Sequence, residues 1–438
     1  MEVKINMFKI IIFLLFSINL FAKSLITDVS IKDLHKYKQS VNTNFLKKNN
    51  VNSIINNRLN ILNKEYNKKF FKPWSLSKPS FKKKHLQYGF YYKNRKVYGE
   101  NLKPISKKWF NDKYEFANFE KFKTFNKKGI VVNNSNLRLI PSSKPIFLNP
   151  NQAGEGFPFD YNQNSAIKFN TPIIISHFSK NKEWALIETG FVSGWIEVKD
   201  IATLDSKNIK KFMNNNYFVS TDDNLSLYKN GFFQQRATIG TLLPYNKGSF
   251  YVVKKGFYLD GNVFELQIKF KDRNKVSRKP LNFNKANIIN ISNSILGTPY
   301  SWGGAMGNRD CSSFTQDFFS SFGLFLPRNS KSQANVGKKI SLKSLSTKHK
   351  KSKIIKYGKP FRTLLYMKGH IMLYIGHKNG EPLIMHDFWG VKTKKGNLSQ
   401  RVVVGKTVIT STEPGKELEN YDKTKSIIRR IEAMNIVL

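Results

Sequence analysis

Three side chains in the last third of this 438-residue chain have the types and order that acyl transfer needs. Cys311, the only cysteine, lies in Tyr300-Ser-Trp-Gly-Gly-Ala-Met-Gly-Asn-Arg-Asp310-Cys311-Ser312-Ser313-Phe314. A lone thiol makes no internal disulfide. A turn that delivers cysteine to the first turn of a helix places the sulfur where helix-terminal N–H groups favour thiolate. A thiol nucleophile also needs a base and a third group that orients the base. Of the seven histidines, His35 and His85 fall in polar segments, His349 in a lysine cluster, His177 at the end of a strand and His377 just past one. His370 and His386 remain, on successive predicted strands that antiparallel pairing would set side by side. The expected reaction has Cys311 attack an amide carbonyl, His370 protonate the departing amine, His386 orient His370, and water release the thioester. The Cys311 backbone N–H is the candidate oxyanion donor. Each of the three taken singly reads as a buried small hydrophobe or a strand-edge histidine; their joint occurrence in the order Cys, His, His favours catalysis.

The elements that must position these groups are legible around them. Apolar residues at Ile288, Ile291 and Ile295 predict one helix, and Phe314, Phe318 and Phe322 predict a second that starts at the cysteine. Gly369–Gly376 and Pro382–Asp387 read as strands, so residues 284–438 form an α+β domain. Its lysine-rich insertion, Lys338 to Lys359, reads as a loop bordering the cleft. Upstream, residues 129–205 and 214–280 each show five short alternating runs separated by turn residues, the pattern of two small β-barrels in tandem. Residues 23–128 are polar, with a helical patch from Val51 to Leu62. The aromatic string Phe70, Phe71, Pro73 and Trp74 has the character of a plug against a neighbouring domain. Lys4 and Lys9, the apolar run from Phe8 to Leu20 and the small Ala22 make residues 1–22 a secretory signal peptide and the protein an exported one.

A formal net charge of +45 raises the question of a polyanionic partner. The lysines are spread along the chain and no nucleic-acid motif accompanies them, so nucleic acid is not the expected partner. Anionic wall polymers or lipid headgroups suit an exported basic protein better. No phosphate loop, dinucleotide fingerprint or spaced set of metal ligands is present, and neither cofactor nor metal is expected.

Tyr300-Ser-Trp-Gly-Gly with Asp310-Cys311-Ser312-Ser313, then Gly369-His370-Ile-Met-Leu-Tyr-Ile-Gly376 and His386, resembles the NlpC/P60 family of papain-like cell-wall peptidases. Arg138-Leu-Ile-Pro141 and Gly154-Glu-Gly-Phe-Pro-Phe-Asp160-Tyr161-Asn-Gln-Asn-Ser165 resemble the SH3-like domain that precedes such peptidases in one multidomain subgroup. Phe71-Lys-Pro-Trp74 and Tyr98-Gly-Glu-Asn101 resemble that subgroup's amino-terminal stabilising domain. The resemblance implies a stabilising domain, two SH3-like barrels and a papain-like peptidase domain. It implies hydrolysis of the bond between γ-D-glutamate and a diamino acid, diaminopimelate or lysine, in peptidoglycan stem peptides or muropeptides, with Cys311, His370 and His386 as the triad. It further implies that Asp310 faces the free amine of the stem peptide, that Ser312 contacts its backbone and Tyr300 lines the pocket, and that Glu155, Asp160 and Tyr161 wall one end. A helix cap at Asp310, a core tyrosine at 300 and a turn former at Asp160 are the plainer readings. Two other functions fit the same sequence: a wall-binding protein with a vestigial peptidase, and an amidase or acyltransferase on another amide.

Overall fold

The computed structural model describes residues 30–51, 56–268, 270–396 and 398–438; the signal segment falls outside them. Short helices and turns make up the amino-terminal part, whose longest helix, α1, spans Asn56–Phe70. It runs further than the Val51–Leu62 patch, because polar residues with good helix propensity carry it on to Phe70; residues 52–55 are not described. The aromatic string that follows does plug a seam. Phe70, Phe71 and Trp74 pack with Ile130, Val132, Tyr217 and Leu242 from both β-units and with Phe212 from the short helix between them. The Trp74 indole N–H donates to the Gly129 carbonyl at 2.7 Å.

Two seven-stranded antiparallel sheets follow, one between Lys127 and Thr203 and one between Tyr217 and Arg278. Each contains the five expected strands and two more. The extra ones are Gln163–Ile167 and Ile201–Thr203 in the first, and Phe232–Ala237 and Val276–Arg278 in the second. Among the described residues the terminal strands of each sheet do not pair with each other, so both sheets are open, an arrangement consistent with SH3-type units.

The carboxy-terminal domain is α+β. Helices α2 (Lys285–Ile295) and α3 (Cys311–Ser321) pack on a six-stranded sheet of β1 (Lys338–Ser341), β2 (Thr363–Met367), β3 (His370–Lys378), β4 (Glu381–Lys395), β5 (Leu398–Ser411) and β6 (Ala433–Ile436). The strand order is β1-β6-β2-β3-β4-β5. Phe314 and Phe318 recur at i, i+4 with Phe322 just past the helix end, and all three are fully buried against Phe283, Phe361, Ile371 and Leu373. The lysine-rich insertion is not a loop. It forms β1 and helix α4 (Thr347–Tyr357), started by the Ser346 cap on the His349 amide. Lys350 donates to the Arg429 and Ile431 carbonyls, and Lys351 pairs with Glu381 and Glu413. Its lysines therefore staple the back of the domain, and none of residues 338–359 lines the cavity described below. Among the described residues no helix is long and apolar enough to cross a membrane.

Candidate active site

Asp310 caps α3. Its Oδ1 accepts the Ser312 and Ser313 amides at 3.0 and 2.8 Å, while Ser313 Oγ accepts the Asp310 amide at 2.8 Å. This capping box fixes Cys311 as the first helical residue. Immediately upstream, Gly303 and Gly304 take φ of 64° and 74° in the Trp302–Gly307 turn. A β-carbon on Gly303 would stand 2.6 Å from Gln163 Cγ, so the absent side chains let this turn lie on the first β-unit.

Cys311 and His370 are each 8% exposed and His386 is fully buried. His370 Nε2 and His386 Nδ1 lie 2.9 Å apart, and His386 Nε2 lies 3.0 Å from Thr410 Oγ1. The tautomers follow from the end of this chain. Thr410 donates its hydroxyl to the Ser411 carbonyl at 2.8 Å, so it must accept from His386 Nε2–H. His386 Nδ1 is then unprotonated and accepts from His370 Nε2–H. His370 Nδ1 is left as the basic nitrogen of the pair.

The electrostatics oppose one expectation. Burial, followed by the Asp310 carboxylate, pushes the Cys311 thiol up to about 12, against the lowering effect of a hydrogen bond from the Ile371 backbone. Burial, helped by the Arg430 charge, pulls His370 down to about 3. His386 is lowered well below the usual histidine range by burial and by His370. Burial thus favours the neutral thiol and the neutral imidazole, against the helix-terminal potential that favours thiolate.

Cys311, His370, Asp310, Ser312, Tyr300 and Tyr161 line one cavity of about 700 Å³ at the junction of the peptidase domain and the first β-unit. Asp310 is engaged within the protein. Its carboxylate accepts from Arg328 Nη1 and Nη2 at 3.2 and 2.8 Å, from Ser312 Oγ at 2.9 Å and from the Gly303 amide at 3.2 Å. Despite its burial it is held below the usual carboxylate range, mainly by Arg328. Tyr300 packs against Phe159 and Trp389, and burial raises its phenol well above the ordinary range. Tyr161 packs on Trp302 and donates to Glu155 Oε2 at 2.8 Å. Glu155 and Asp160 are not brought to the cavity wall. Glu155 stands behind Tyr161, and Asp160 pairs with Arg138 at 2.8 Å while accepting the Ile146 and Asn162 amides.

Three family models match the chain: the NLPC_P60 stabilising domain, N term, over residues 8–122; the SH3 domain (SH3b1 type) over 145–197; and the NlpC/P60 family over 297–395. Together they take in more than half of its length. Its carboxy-terminal domain belongs to the NlpC/P60 family. A solved NlpC/P60 endopeptidase from Photobacterium damselae subsp. piscicida is 26% identical, with a TM-score of 0.82, over 95% of this chain and 99% of that one. An NlpC/P60 family protein from Bacillus cereus is 18% identical with a TM-score of 0.46, over 70% of this chain and 98% of that one. No curated protein matches. With these matches the chain is a multidomain cysteine peptidase with a stabilising region, an SH3-type β-region and an α+β peptidase domain.

Two neighbours of the candidate site carry no sequence signal. Thr410 looks like any β-branched strand residue. Arg328, in Leu326-Pro-Arg-Asn-Ser330, is one cation among 74 lysines and arginines; only the fold shows it joining Asp310, Ser312 and Ser165 Oγ of the first β-unit.

Proposed function

We propose that the chain is an exported endopeptidase that cuts the γ-D-glutamyl–diamino acid bond of peptidoglycan stem peptides, with Cys311, His370 and His386 as its triad. The observation that carries this reading is the ordered relay from His370 through His386 to Thr410, which leaves His370 Nδ1 basic in the cavity that Cys311 lines. Because burial favours the protonated thiol, His370 acts first as a general base. It takes the S–H proton as sulfur bonds to the carbonyl carbon, then returns that proton to the amine as the C–N bond breaks. Water then adds to the thioester, with His370 again accepting the proton, and the sulfur leaves and is reprotonated. Asp310 ties up the Ser312 and Ser313 amides, whereas the Cys311 amide has no acceptor among the described residues and is the oxyanion donor. Asp310 and Ser312 beside the thiol are the groups for the peptide's amino-terminal end, with Tyr300 and the β-unit's Tyr161 on the wall. The high positive charge, spread over the surface, suits residence among anionic envelope polymers.

Digestion of purified L-Ala-γ-D-Glu-diamino acid peptide, with products read by mass spectrometry, tests the reading. Wild type should release the diamino acid and Cys311→Ala should release none. Release by the Cys311→Ala protein, or a wild-type cut at a different bond, overturns it.

A further inference from the structure

The charges lining the catalytic cavity are unequal. Its acidic group is Asp310, already matched by Arg328. A cationic flank of Lys368, Lys392, Arg401, Lys425 and Arg430 lines the same space. Among the described residues none of these five has a carboxylate within ion-pair distance. The acidic groups whose fields reach them are engaged elsewhere: Asp422 accepts from Thr424 and faces Lys394 at 3.8 Å, and Glu155 accepts from Tyr161. Arg430 Nη2 donates to the Lys368 carbonyl at 3.0 Å and Arg401 Nη1 to the Gly390 carbonyl at 3.3 Å. Arg401 Nε is buried with no acceptor. Burial, and then the charges of Arg401, Arg430 and Lys425, lower Lys392; burial and Arg430 lower Arg401. A buried donor without a partner, within a group of like charges, is a costly arrangement that an anion would relieve.

Position relative to the chemistry says which part of a substrate meets this flank. Arg430 Nη2 bonds the carbonyl of Lys368, two residues before His370, so this charge sits at the end of β3 that carries the histidine. The departing amine takes its proton from His370, so it forms beside these cations.

We propose that the cationic flank is a carboxylate subsite that holds the free carboxylates of the departing amine component, so that the enzyme discriminates a free from an amidated side-chain carboxylate on the diamino acid. The first β-unit contributes to it: a β-carbon on Gly154 would stand 2.6 Å from Arg401 Nη2, so this glycine leaves the guanidinium its place. The proposal rests on the endopeptidase reading and deepens it.

The test compares kcat/KM on L-Ala-γ-D-Glu-meso-diaminopimelate and on the same peptide with the side-chain carboxylate amidated. Wild type should prefer the free acid by about 10- to 100-fold, the range of one or two charge-assisted hydrogen bonds. The ratio should shrink to below about threefold in Arg401→Gln and in Arg401→Gln/Lys392→Gln. Equal rates on the two peptides in wild type, or an unchanged ratio in the variants, overturns the proposal. If wild type cuts neither peptide, the endopeptidase reading fails, and binding decides the subsite separately. Calorimetric titration of the Cys311→Ala protein with free meso-diaminopimelate should then show saturable binding that amidation and Arg401→Gln each weaken at least about 10-fold. No binding, or binding indifferent to both changes, overturns it. The Lys392→Gln single variant, at a partly exposed position, repeats every arm should Arg401→Gln fail to fold.

Discussion

Thr410 shows how little of a side chain a proton relay needs. Its hydroxyl hydrogen is committed to the Ser411 carbonyl, and that commitment alone decides which His386 nitrogen is protonated and hence which nitrogen of His370 is basic. Thr410→Val keeps the shape and removes the acceptor. It strands a buried N–H, with a cost of about 1–3 kcal/mol, and frees His386 to take the other tautomer, which would turn His370 Nδ1 into a donor. The expected result is a fall in kcat of about 10-fold or more, within the 10²–10⁴ that general acid–base catalysis supplies. Thr410→Ser should restore most of it. A purely structural role would lower melting temperature in Thr410→Val without this split between Val and Ser in kcat. Cysteine and the two histidines were legible in the sequence because few residue types do this chemistry and their order is constrained. Thr410 and Arg328 were not, since threonine in a strand and arginine in a basic chain carry no mark of their partners.

At the scale of elements, α3 is held from behind as well as from within. Arg309, one residue before the cap, makes a bidentate pair with Asp223 of the second β-unit at 2.6 and 2.6 Å and donates to Asp317 on α3 at 2.9 Å. Lys168 of the first β-unit reaches Asp317 at 2.5 Å. Three segments of the chain thus meet in one buried ionic cluster under the nucleophile's helix. Breaking such a pair leaves an uncompensated charge, so Arg309→Leu should lose about 3–5 kcal/mol of stability. Arg309→Leu/Asp223→Leu should cost less than the two single losses added together. Denaturant unfolding of the four proteins of this cycle measures the coupling, and strictly additive losses would show the pair to be inert. None of this cluster follows from pattern reasoning, which sees charges but not their partners. Alternation did reveal five strands in each β-unit. It passed over Gln163–Ile167, whose inward-facing Gln163 and Ser165 are polar and buried, so that the hydrophobic signal of a half-buried strand is missing where the strand meets the peptidase domain. The Lys338–Lys359 segment misled in the opposite sense, because lysines that bond carbonyls and carboxylates within the fold have the same composition as solvated ones.

The whole molecule buries three histidines in neutral form, and its stability should record that. His177, packed against Trp195 and bonded to the Ala117 carbonyl, is lowered to about 4 by burial; His370 is lowered to about 3 and His386 well below the usual range. In the unfolded chain all three titrate near 6.5. Below that pH the unfolded state takes up protons that the folded state refuses, so stability present above pH 6.5 is lost as pH falls. Two carboxyl groups oppose the trend. Burial raises Asp387, on β4 beside His386, well above the carboxylate range and raises Asp33 in the same direction, so the folded state keeps protons that the unfolded chain releases. Cys311, raised to about 12, leaves this window unaffected. The three histidines outnumber these carboxyls, so stability falls as pH drops from 6 to 5, by about 1.4 kcal/mol per pH unit for each net proton. Urea unfolding at pH 7, 6 and 5 should show the midpoint dropping steeply at the acid end. His177→Phe, at a site away from the cavity, should flatten the slope by one proton's worth, about 1.4 kcal/mol per pH unit. A midpoint level from pH 7 to 5 would mean that these histidines are charged in the folded protein, and with it the neutral resting pair at Cys311 and His370 would be lost.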